Sequence, residues 1–117
     1  MIETKLMNYL STELEVDVFA ENPTPPPEEE YIVIEKTGSS ERNFITTATI
    51  AVQSICKGSM IKAAKLNERV KEKMRSFVEE RGITNVRLDT DYNFTKTASK
   101  QYRYQAVYNI TYYQEVE

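Results

Sequence analysis

The stretch Asn43-Phe44-Ile45-Thr46-Thr47-Ala48-Thr49-Ile50-Ala51-Val52-Gln53-Ser54-Ile55-Cys56 decides the fold. Successive side chains of a strand point to opposite faces. Phe44, Thr46, Ala48, Ile50 and Val52 therefore share one side, and Ile45, Thr47, Thr49, Ala51 and Gln53 the other. That period of two predicts a long, half-buried strand. Gly58-Ser59 breaks it and offers Ser59 as a helix N-cap. Beyond it, Met60, Ala63, Ala64, Leu66, Val70, Met74, Phe77 and Val78 form the apolar stripe of an amphipathic helix, with Gly82 as its stop. The opposite side, with Lys65, Glu68, Lys71, Glu72, Arg75 and Glu79, is a solvated face of mixed charge.

On the N-terminal side, Thr37 to Arg42 is expected to turn, with Gly38 supplying a tight connection after a strand from Tyr31 to Lys36. Upstream lies Asn22-Pro23-Thr24-Pro25-Pro26-Pro27-Glu28-Glu29-Glu30. Its prolines lack the N–H a ladder needs, so it is a stiff surface loop. Val16, Val18 and Ala20, alternating with Asp17, Phe19 and Glu21, suggest a short strand, and Ile2, Leu6, Tyr9, Leu10 and Leu14 mark a first helix ending near Thr12. On the C-terminal side, Val86, Leu88, Tyr92 and Phe94 oppose Arg87, Asp89, Asp91 and Asn93. After a polar tip from Thr95 to Lys100, a last strand sets Tyr102, Tyr104, Ala106, Tyr108, Ile110 and Tyr112 on one face. The order is α-β-β-β-α-β-β. A mostly antiparallel sheet of about five strands packed by two helices, an α+β fold, buries these stripes most economically. At 117 residues a single domain over 1–117 is expected.

The composition narrows the chemistry. With no histidine, Ser-His-Asp and Cys-His catalysis and most zinc sites are set aside. The single cysteine, Cys56, forms no internal disulfide and fits a small buried strand residue. No catalytic residue, cofactor site or metal site is expected. Asp89 and Asp91 lie two apart on one strand face, but a hard cation needs six or more oxygen ligands, so a solvated face is the better reading. Asn93-Phe94-Thr95 and Asn109-Ile110-Thr111 match the glycosylation pattern, and with no secretion signal expected they are read as chance matches. No membrane segment is expected. Eight tyrosines are conspicuous, five of them between Tyr102 and Tyr113. With Lys96, Lys100 and Arg103 they suit either a single-strand stacking surface or cross-strand packing and a protein interface. A net charge of -3 favours the second.

The N-terminal helix and strand, the proline loop, Tyr31-Ile32-Val33-Ile34-Glu35-Lys36-Thr37-Gly38, the strand Ile45 to Ser54, the helix with Ala63-Ala64 and the closing Tyr102-Arg103-Tyr104-Gln105-Ala106-Val107 together resemble the tail terminator or tail completion proteins of long-tailed bacteriophages and prophages. The resemblance covers nearly the whole chain. It implies a homo-oligomeric ring, typically a hexamer, at the head-proximal end of the tail, assembled in the host cytoplasm. Such a ring stops growth of the tail tube protein and joins tail to head through a head completion or neck protein, while DNA passes without tight binding. The family carries no catalytic residues to transfer. Contacts are expected from Pro25, Pro26, Pro27, Glu28, Glu29 and Glu30 of the loop, from Arg42, Lys96 and Lys100 as its basic counterparts, and from Tyr112 and Tyr113. Another neck or minor tail protein, a non-viral protein-interaction domain and a single-stranded nucleic-acid module stay open as alternatives.

Overall fold

The computed structural model describes residues 1–95 and 101–113. Helix α1 (Ile2–Leu14) leads into β1 (Asp17–Phe19), followed by β2 (Tyr31–Arg42), β3 (Ile45–Lys57), α2 (Met60–Ser76), a 3-10 turn (Phe77–Glu79), β4 (Ile83–Asn93) and β5 (Gln101–Tyr113). Among the described residues this is the expected α+β order. Among the described residues the strands form one sheet, β1-β2-β3-β5-β4, in which only β1 and β2 run parallel.

Both helices cover one face of this sheet. Ile2, Leu6, Leu10 and Leu14 recur every fourth residue and place one buried stripe of α1 on it. Ala63, Leu66, Val70 and Met74 do the same for α2, and Phe77 continues the stripe. They meet Ile32, Ile34, Ala48, Ile50, Val52, Ala106, Tyr108 and Ile110, all buried. Each fully buried Leu, Ile or Val contributes roughly 1.5–3 kcal/mol. The helices are also tied to each other. The Tyr9 ring lies 4.9 Å from Phe77, and its hydroxyl donates to the Lys73 carbonyl at 2.7 Å. Ser59 caps α2 by accepting from the Lys62 N–H at 3.1 Å, and Gly58 takes the positive φ of 82° that the strand-to-helix turn requires.

Several boundaries differ from the sequence expectation. α1 runs to Leu14 and ends on Glu15 at φ 55°, whose N–H returns to the Ser11 carbonyl. Met60 and Ala64 are half-buried and Val78 is exposed, because the last turn tightens into a 3-10 helix and rotates Val78 off the stripe. The largest difference is the hairpin. Thr37 to Arg42 is strand, not turn. A bulge between Lys36 and Gly38 absorbs one residue, and β2 then continues to Arg42 opposite Ile45. The chain reverses at Asn43 and Phe44, at φ 52° and 66°.

Further bulges in β4, between Ile83 and Asn85 and between Leu88 and Thr90, shift its alternation. Asp89 drops out of the ladder, while Asp91 pairs with Ala106 beneath α2. There Asp91 accepts from Lys71 at 2.6 Å and Asn67 at 3.4 Å. The bulge thus separates the two carboxylates that strict alternation would have placed together.

Candidate assembly interface

Beyond Ile34 every residue of β2 is exposed. The far half of β2 is therefore an uncovered edge beside β3, whose Thr46, Ala48 and Ile50 stay buried, and the molecule is 45 Å long against 25 and 23 Å across. At the tip Phe44 is 75% exposed, beside exposed Ile45. A two-residue hairpin loop with positive φ at both positions suits Asn followed by Gly. Asn43 meets that preference; Phe44 does not. A bulky residue in the left-handed region is strained, so the sequence retains an aromatic where both solvation and backbone geometry disfavour it. Sequence alternation places Phe44 on one strand face with Thr46, Ala48, Ile50 and Val52. The available signal was Asn43, the residue type most tolerant of that conformation, next to Ile45 where the alternation restarts.

The second surface is the sheet face without helices. Its β2 end holds a small apolar cluster of Tyr31, Val33 and Ile55 with Phe19. Between β3 and β5 it carries a ladder of neutral polar side chains, flanked by Arg103 and Arg87. Thr47 bonds Thr111 at 3.1 Å, Thr49 donates to Asn109 at 2.9 Å, and Gln53 donates to Gln105 at 2.9 Å. Arg103, only 8% exposed, reaches Gln53 at 3.3 Å and lies 6.0 Å from the Phe94 ring. The face is concave, because Gly38 and Ser40 of β2 line one groove with Asn85 and Arg87 of β4 on the far side of the sheet.

The expected contact residues divide. Pro25 and Pro26 are exposed, Pro27 is half-buried, and the Thr24–Pro25 bond is cis. Glu28 and Glu30 meet bases of their own subunit, Lys57 at 3.8 Å and Arg69 at 3.2 Å. Arg69 also donates to the Leu14 carbonyl at 3.0 Å, which fastens the loop's end to the end of α1. Glu29 is exposed, and so is Arg42, beside the hairpin tip. Lys96 and Lys100 lie outside the described residues. Tyr112 and Tyr113 part company: Tyr113 is 43% exposed, but Tyr112 is 4% exposed and belongs to the core. Neighbours on a strand point oppositely, so a joint Tyr112–Tyr113 surface is corrected to Tyr113 alone.

Burial also withdraws Tyr108 and Tyr112 from any tyrosine surface, since both face the helices. Burial pushes the Tyr108 hydroxyl well above its ordinary range, with the Asp91 charge adding to the effect. Burial also pushes up the Cys56 thiol, which keeps it in the unreactive protonated form. Among the described residues, no three His, Cys, Asp or Glu side chains are grouped to hold a metal ion, and no helix is long and apolar enough to cross a membrane. Comparison with models of known protein families gives no match, and comparison with curated proteins gives none either.

Proposed function

We propose that the chain is a structural subunit of a phage tail, forming a ring on the head-proximal end of the tail tube that stops its growth and joins tail to head. The observation that carries the assembly role is the hairpin tip, where solvent-exposed Phe44 is held in a strained turn. Aromatic side chains with few rotatable bonds serve as anchors at protein interfaces, where they bury large area at low entropic cost. The tail-end position rests on the resemblance in element order and local pattern. The tail tube protein is the partner for the hairpin tip, and a head completion or neck protein the partner on the opposite side. DNA passes without tight binding, because a chain of net charge -3 gives phosphates little to hold.

The test is polymerisation of purified tail tube protein with and without this protein, followed by negative-stain imaging. The expected result is tubes that stop growing and carry an added ring at one end only. Tubes of unchanged length with bare ends would overturn the reading.

A further inference from the structure

The sheet ends in two free edges among the described residues. β1 pairs with β2 only from Tyr31 to Val33, which leaves the outer edge of β2 open from Ile34 to Arg42. At the other side β4 pairs with β5 and has no outer neighbour. Unpaired strand edges are templates for pairing with another chain, and folded proteins normally blunt them. Here the bulges leave two regular stretches, Gly38–Arg42 on β2 and Asn85–Leu88 on β4.

We propose that neighbouring copies of this chain join edge to edge, the free half of β2 on one copy pairing with β4 of the next, so that the sheets close into one continuous wall with the polar ladder inside and the helices outside. This rests on the ring reading given above and names its junction. Three observations support it. β2 runs opposite to β3, β3 to β5 and β5 to β4, so β2 and β4 point in opposite directions. Rotation about an axis running along the strands preserves direction, which makes the junction antiparallel, the more stable pairing. Next, the helix-free face is already concave, as an inner wall must be, and the bulkier helices then lie at larger radius where there is room. Last, the traced register sets no like charges directly opposite each other. Tracing one level across the sheet, Lys36 pairs with Ile50, Ile50 with Tyr108 and Tyr108 with Leu88. Lys36 of one copy, which pairs with Glu3 of its own α1 at 3.8 Å, thus comes level with Leu88 of the next. By the same tracing Gly38 comes level with Arg87 and Ser40 with Asn85, with no like-charge pair.

Disulfide trapping tests this. Within one subunit Gly38 and Arg87 are separated by β3 and β5, three strand spacings or about 14 Å, well outside disulfide reach. Gly38 lacks a positive φ, and a Cβ there meets nothing within 4 Å, so cysteine is tolerated. The double variant Gly38→Cys with Arg87→Cys, and independently Ser40→Cys with Asn85→Cys, are assembled on tail tubes, oxidised and run without reductant. A ladder of covalent oligomers ending at the closed ring is expected from each pair, and no more than dimers from each single variant. Rings visible on the tubes without a ladder from either pair would overturn the edge junction while leaving the ring intact. Absence of any ring would overturn both.

Discussion

Replacing Phe44 with glycine separates the cost of the hairpin tip from its use. An L residue in the left-handed region costs roughly 1–2 kcal/mol, and Phe44 sits there at φ 66°. Glycine removes that strain but loosens the unfolded chain, giving back about 0.4–1 kcal/mol. Little packing is lost, because the side chain is 75% exposed. The difference is a net stabilisation of about 0.5–1 kcal/mol, or a Tm rise of about 2–6 °C for a domain of this size. Thermal unfolding followed by circular dichroism measures the rise, and tube-capping measures function; the expected variant is more stable and caps tubes poorly. Glu15→Gly is the control, since Glu15 takes φ 55° at the end of α1, far from the hairpin in sequence. It is expected to gain stability and still cap. An unchanged or lower Tm for Phe44→Gly would refute the turn geometry, and a more stable variant that caps normally would refute the anchor.

Val70 of α2 is fully buried against the sheet, so Val70→Asp strands a carboxylate in the core and is expected to abolish folding; a native-like unfolding transition would contradict the packing. Ser59→Ala removes the cap of α2 and is expected to cost about 1 kcal/mol in urea unfolding. Tyr108→Phe deletes a buried hydroxyl without a hydrogen-bond partner among the described residues and is expected to be neutral or stabilising at pH 7, whereas a loss of stability would reveal a bond to that oxygen. The same variant reports on pH. The folded-state pKa of Tyr108 lies above the unfolded value of about 10, so its contribution is intact below that pH and declines as pH rises further. Urea unfolding at pH 8 and pH 11 is expected to show a smaller alkaline loss for Tyr108→Phe than for the parent, and equal losses would argue against the burial of that hydroxyl.

The element order was legible because periodicity speaks for long elements. Leu6, Tyr9 and Leu10 or Ala63, Leu66 and Val70 can share a face only on a helix, and Ala48, Ile50 and Val52 only on a strand. What stayed hidden turned on single residues. The bulge after Lys36 and the reversal at Asn43 and Phe44 come from pairing with β3, a tertiary effect that overrode the local preference of Gly38 for a turn. The bulge at Asp89 inverted the faces of Asp91 and Tyr92, which no alternation count anticipates. Among the interface candidates, exposure of the proline segment was foreseeable from composition. The internal pairing of Glu28 and Glu30 was not, since Lys57 and Arg69 come near only once the sheet has formed.

The shortness of β1 has a further consequence. It lies against β2 from Tyr31 to Val33 and goes no further. A strand of another copy sliding along that edge is halted where β1 begins, whatever its side chains. Slippage in one direction is thereby blocked by backbone alone, and slippage in the other uncovers ladder hydrogen bonds one by one. Register at such a seam is set the way a drawer is set by its back panel, which leaves the side chains along it free to vary without misaligning the wall.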